Sequence, residues 1–290
     1  MLVREPIVAG QFYPATRDAC LKQIASLAPD QPPDDLPERP VAGIVPHAGW
    51  SFSGSTALAV LDAVRARRSP RSFILFGAVH RPIRGAAVFA SGVWQTPLGP
   101  AQVDERLAGE ILARAQDLLA DDPHAHEHEH SIEVQLPLIQ NRFPDARIVP
   151  IAVPPSSRAH DVGRAVAQVV RSLDADAFCL GSTDLTHYGA GYGFSPRGTG
   201  EKALRWVRDV NDRRMVDLMR RLDAETAVDE AGDRMNACGS GAIAATLAAA
   251  RELGAESGRL VAYTTSADVM RERTGHADTD FFVGYAGLVF

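Results

Sequence analysis

Apolar residues recur along the chain in two patterns. Short continuous runs read as strands buried on both faces: Val41-Ala-Gly-Ile-Val45, Ser72-Phe-Ile-Leu-Phe-Gly77, Arg147-Ile-Val-Pro-Ile-Ala-Val153 and Ala177-Phe-Cys-Leu-Gly-Ser182, followed by 260–266 and 281–290. Between them, apolar residues at three- and four-residue spacing predict helices over 15–28, 53–65, 104–120, 131–143, 161–173 and 201–222, and one running to Leu253 after a turn at 236–241. Pro137 lies inside the fourth helix and is expected to kink it. A minor strand is expected at 85–90 and a turn or hairpin at 92–99. The Pro- and Asp-rich stretch 30–40 cannot be helix or central strand and reads as a surface loop; it is not read as a domain linker, because too little chain precedes it to form a core. Alternation of strands and helices predicts an α/β fold: a single three-layer α/β/α domain over 1–290, around a mixed, largely parallel sheet.

Several of these strands end in polar residues that carry chemistry. The first runs into Pro46 and presents His47; the second leads to His80; a third leads through Asp184 to His187. Loops beyond the carboxyl ends of strands build active sites in open α/β sheets, so these endings are expected to share one site. His47 and His80 are candidate metal ligands, since each follows an apolar strand and neutral imidazole binds iron, zinc and copper. The competing reading is a turn histidine that caps backbone groups. Cys238 stands in a Gly-rich turn before a helix, where amide groups favour the thiolate form. Asp184 and His187 are spaced to enter one cavity, the histidine as a general base and the aspartate orienting it. In His124-Ala-His-Glu-His-Glu-His130, the first three histidines read as a solvated loop that picks up divalent metals adventitiously. His130 and Glu133 sit at a helix start and can point toward the main site. Trp50 and Trp94 are expected near an interface or a pocket mouth, and the glycine-rich stretch 188–200 as a functional loop.

Composition narrows the choice without making it. With 46% hydrophobic and 23% charged residues, the 290-residue chain is an ordinary globular protein. A net charge of -6 and the lack of a long basic run disfavour nucleic-acid binding. No apolar run approaches membrane-helix length, and the N-terminus lacks the pattern of a secretory signal. Three cysteines, Cys20, Cys179 and Cys238, are too few for a disulfide framework and fit a reducing cytoplasm; Cys20 and Cys179 read as buried hydrophobes. There is no P-loop, no dinucleotide fingerprint and no zincin helix.

The ordered segments Arg4-Glu-Pro-Ile-Val-Ala-Gly-Gln-Phe-Tyr-Pro14, Pro46-His-Ala-Gly-Trp-Ser-Phe-Ser-Gly54, Phe76-Gly-Ala-Val-His80, Trp94-Gln-Thr-Pro-Leu-Gly99, Glu129-His-Ser-Ile-Glu-Val-Gln-Leu-Pro137, Ser182-Thr-Asp-Leu-Thr-His187 and Phe282-Val-Gly-Tyr-Ala-Gly-Leu-Val-Phe290 together resemble the Memo family, which includes AmmeMemoRadiSam system protein B. That family is similar in fold to the class III (LigB-type) extradiol dioxygenases, which hold non-haem Fe(II) with two histidines and a carboxylate. The resemblance implies His47, His80 and Cys238 as metal ligands, with a cysteine where the dioxygenases have the carboxylate. It implies Asp184, His187, His130 and Glu133 as residues of the same pocket. His80-Arg81 stands where some relatives have paired histidines. The expected metal is Fe(II), with copper or zinc as alternatives. The expected role is a redox or oxygen-dependent reaction on a small molecule. The rival readings are a non-catalytic ligand- or peptide-binding protein and a zinc-dependent hydrolase.

Overall fold

In the computed structural model, which describes residues 1–28 and 35–290, the chain runs through twelve strands and ten helices. In order these are β1 (Val3–Arg4), α1 (Arg17–Leu27), β2 (Ala42–Val45), α2 (Trp50–Arg65), β3 (Ser72–Gly77), β4 (Ala86–Val88), β5 (Val93–Trp94), β6 (Ala101–Gln102), α3 (Glu105–Arg114) and β7 (Leu119–Asp121). They continue with α4 (Leu136–Arg142), β8 (Arg147–Ala152), α5 (Ala159–Ser172), β9 (Ala177–Ser182), β10 (His187–Tyr188), α6 (Glu201–Trp206), α7 (Asp212–Arg220), α8 (Ala227–Arg234), α9 (Ser240–Glu252), β11 (Arg259–Thr265), α10 (Ser266–Thr274) and β12 (Phe282–Val289). Part of the loop expected at 30–40 lies outside the described residues.

A parallel core, β2-β9-β3-β8, forms the centre of the main sheet. Antiparallel β12 closes it on the β2 side and antiparallel β4 on the β8 side. The sheet is therefore mixed, as the alternation predicted. Each of β2, β3 and β9 is buried along its full length, as strands covered on both faces must be. Gly43 and Leu180 are register partners and so face the same way; Gly181 faces the other. A side chain at Gly43 would strike Val60 of α2, whereas one at Gly181 would strike Thr246 of α9. Helices thus cover both faces, and backbone packs close enough at these two positions to require glycine. A small second sheet, β1-β5-β6, ties the N-terminus to the expected hairpin around 92–99.

Several elements depart from the sequence pattern. The helix expected over 104–120 stops at Arg114, because Leu119–Asp121 pairs with β4 instead. Pro137 falls in the first turn of α4, where its missing N–H is no loss, so it starts the helix rather than kinking it. The helix expected over 201–222 contains a π-turn at Val207–Asn211 between α6 and α7. Polar α8 and α10 were not expected at all. Trp50 and Trp94 are fully buried, not at a mouth: the Trp50 indole donates to the Val134 carbonyl, and Arg4 lies over the Trp94 ring. No helix of the described residues is long and apolar enough to cross a membrane.

The histidine tract corrects another expectation. His124 and His128 are exposed, but His126 is fully buried. A short 3₁₀ turn at Pro123–His126, capped by Asp122, swings it inward against Phe89 and Trp94. Its Nε2 donates to the Ala87 carbonyl, and burial lowers its pKa to about 4. The neutral form is the one the fold accepts. The stabilisation is therefore present above the ordinary histidine pKa near 6.5 and is lost as pH falls through 4. At about 1.4 kcal/mol per pKa unit, this amounts to about 3 kcal/mol across the window. Urea titrations should show wild-type stability dropping between pH 6.5 and 4, and His126→Phe should be less stable at pH 7 but flatter across that range.

Candidate metal centre

Parallel strands deliver their ends to one edge. His47 follows β2, His80 follows β3, and Thr183 to His187 follow β9, so the three polar endings meet above the sheet. The loop before α4 adds a fourth group, His130. The ligand atoms of His47, His80 and His130 all lie within 4.8 Å of one another. The His80 and His130 rings stack at 4.7 Å, and His47 meets both edge-on.

Hydrogen bonds fix which nitrogen each imidazole offers. Ser182 Oγ donates to the Ser131 carbonyl and so accepts from His47 Nδ1 at 3.0 Å. The Glu129 carboxylate likewise accepts from His80 Nδ1 at 3.0 Å. In its neutral form each ring is then left with a bare Nε2 lone pair, the tautomer that ligates metal. Burial, and then the neighbouring His80 and His130, hold the His47 pKa well below its usual value, so it is neutral. Burial likewise lowers that of His130. Burial opposes charge on His80 too, but the hydrogen bond and charge of Glu129 outweigh it, and its pKa rises. Glu129 is itself buried, yet bonds from His80 and from the backbone of His80 and Ser131 hold its carboxyl well below the carboxylate range.

Cys238 comes from the far end of the chain. Its Sγ lies 3.3 Å from His47 Nε2 and accepts from the Asp184 backbone N–H, also at 3.3 Å. The expected depression of its pKa by a helix N-terminus is not found. Burial, with the nearby Asp184 charge, pushes the thiol well above its ordinary value, because the sulfur sits two residues ahead of α9 in a closed turn. A bound metal reverses such a preference, since a coordinating thiol is deprotonated outright.

Asp184 is buried below the site and accepts from the backbone N–H groups of His47 and Ala48, which pins the His47 turn to the end of β9. Burial raises its pKa, against the influence of His187. His187 donates from Nδ1 to the Leu185 carbonyl, which leaves Nε2 as an acceptor on the cleft wall. The cleft itself measures about 560 Å³; polar His47, His80, His130, Asp184 and His187 line it together with apolar Phe12, Phe52, Tyr192 and Phe281, whereas Cys238 does not line it. A larger cavity of about 840 Å³ opens where Ser72, Arg147 and Asp176 mark the other ends of the parallel strands; no histidine or cysteine lines it.

Glu133 is not in this cleft. Its buried carboxylate pairs with Arg4 and accepts from Tyr13 Oη and from the backbone N–H groups of Ile7 and Val8. Arg4 also donates to the carbonyls of His126 and Glu129, so the pair clamps the N-terminal segment onto the loop that carries His130. Sequence reasoning gave no role to Ser182, or to Glu129 beyond its place in the motif. The signal for Glu129 was its position beside His130.

A profile of Memo-like proteins matches residues 4–289. The chain belongs to the Memo family. A MEMO1 family protein from Thermococcus onnurineus is 35% identical over 100% of this chain and 99% of its own. One from Methanopyrus kandleri is 35% identical over 99% of this chain and 98% of its own. Among solved structures, an uncharacterized protein from Escherichia coli K12 shares the fold: TM-score 0.53 at 13% identity, over 86% of this chain and 99% of that one. Segments 46–54, 76–80 and 182–187 fall at the strand ends that build the cleft, and segments 4–14 and 129–137 carry the Arg4–Glu133 clamp. The clamp makes a prediction. Arg4→Met leaves a buried, unpaired carboxylate and should cost about 3–5 kcal/mol in denaturant unfolding. Glu133→Gln should cost less, because its amide oxygen still accepts from Tyr13 and the backbone.

Proposed function

We propose that this Memo-family chain is a mononuclear metal protein whose ligands are His47, His80 and Cys238, with His130 facing the same ion. The observation that supports it best is the 3.3 Å separation of Cys238 Sγ and His47 Nε2. Donors sharing one ion, with metal–nitrogen distances of about 2.0 Å and metal–sulfur of about 2.3 Å, stand roughly 3.5 Å apart. His80 and His130 join His47 in a group whose ligand atoms lie within 4.8 Å of one another, and Cys238 reaches that group through His47. Fe(II) is the first choice, because a facial ligand set that leaves positions open suits oxygen chemistry; copper and zinc are the alternatives that a thiolate ligand allows. Such an ion would supply Lewis acidity, and iron or copper would supply redox chemistry.

The protein's own part is positional and acid–base. His187 Nε2, left free by the Nδ1 bond to the Leu185 carbonyl, accepts a proton from a substrate bound in the cleft. Asp184 holds the His47 turn in place. The reaction class is an oxygen-dependent or redox step on a small molecule. The second reading, a non-catalytic ligand- or peptide-binding protein, draws on the open cleft with its apolar wall.

Metal analysis of protein purified without a tag tests the ligand set. Wild type should carry about one ion per chain, and His47→Ala, His80→Ala and Cys238→Ser should lose most of it. Glu129→Gln should weaken affinity by about 10–100-fold through His80. His124→Ala with His128→Ala, both on the exposed loop, should leave the content unchanged. Unaltered metal in all three ligand variants would refute the assignment. Oxygen uptake by iron-loaded protein separates catalysis from binding, and activity that survives strict anaerobiosis would mark zinc hydrolysis.

A further inference from the structure

The cleft has a mouth whose chemistry differs from its floor. Among the described residues, three aromatic side chains are exposed: Phe52, Tyr192 and Phe281. All three line this cleft. Tyr192 lies flat on Phe281, with ring centroids 4.3 Å apart and planes 8° from parallel. Asp278 lines the same opening. One of its carboxylate oxygens accepts from the backbone N–H groups of Asp280 and Phe281, which fixes the group beside the stacked pair. No ion pair to Asp278 is formed among the described residues. The chain has 30 lysines and arginines, and none lines the cleft.

This combination selects by charge. At the mouth an anionic ligand would meet the Asp278 carboxylate with no lysine or arginine beside it, and would lose its hydration for little return. A cation gains twice, from the negative faces of the aromatic rings and from the Asp278 carboxylate. Apolar ligand groups gain by covering ring surface that is otherwise left in water. We propose that the mouth binds a small organic cation carrying a flat apolar group, its charge held by Asp278 and the Tyr192–Phe281 pair. The uncharged remainder reaches down toward the histidines. This rests on the reading of the cleft as the ligand site, and not on which metal the floor holds.

The test uses the full, tag-free chain as purified and three probes of similar size. Benzyltrimethylammonium carries the charge but has no lone pair with which to coordinate a metal; benzyl alcohol is neutral; 3-phenylpropionate is anionic. Titration calorimetry should show the ammonium binding about tenfold more tightly than the alcohol, with the difference shrinking as salt is raised. Asp278→Asn should remove most of that preference and leave alcohol binding unchanged, Asp278→Glu should restore it, and Tyr192→Ala should weaken the ammonium. Metal content measured on the same samples should not change in the Asp278 and Tyr192 variants, so loss of the ion and loss of charge selection are read separately. Ammonium binding no tighter than that of the alcohol, tighter binding of the carboxylate, or an Asp278→Asn variant with unchanged preference would overturn the proposal.

Discussion

The parallel register of β2, β9 and β3 is the constraint on which the site depends. Because Val45 pairs with Ser182, and Phe76 with Gly181, the strands finish level with one another. Their next residues have no sheet left to enter and turn outward together. His47, His80 and Asp184 come from points far apart in the chain, yet they need no long excursion to meet. Asp184 then ties two of those turns with its bonds to the His47 and Ala48 amides. A one-residue slip of β2 against β9 would turn every buried side chain of β2 to the opposite face and take His47 out of the site.

Two buried carboxylates on one short segment complete the arrangement. Glu129 faces His80 and four donors converge on it, including the backbone amides of His130 and Ser131. Glu133, four residues on, turns the other way to Arg4 and Tyr13. One carboxylate sets the tautomer of a proposed ligand, and the other holds the loop that supplies it. Buried charge is stable here because each oxygen is fully partnered. Through Arg4 the N-terminal segment reports directly on the carbonyls of His126 and Glu129, which explains why residues so far from the chemistry belong to the same family segments.

Much of this was legible in the sequence. Continuous apolar strands ending in His47, His80 and Asp184 give the sheet, its covered faces and the site edge, because burial on both faces leaves no polar residue until the strand stops. The family resemblance adds Cys238 to the ligand set, and its nearness to His47 is something no spacing across 191 residues can reveal. What could not be read has a common cause. The role of Glu133 depends on Arg4, at the other end of a long-range contact. The burial of His126 depends on a 3₁₀ turn that breaks an apparent alternation of histidines. The end of α3 depends on β4 offering an edge to Leu119–Asp121. In each case tertiary pairing overrides a local pattern that looked complete.

In the proposed centre, one ion joins strand ends to a distant cysteine. Anomalous diffraction from crystals of the tag-free protein, collected above and below the iron, copper and zinc edges, addresses it directly. A single peak is expected within bonding distance of His47 Nε2, His80 Nε2 and Cys238 Sγ, with His130 facing it. An empty floor, or a peak bound only by exposed His124 and His128, would contradict it.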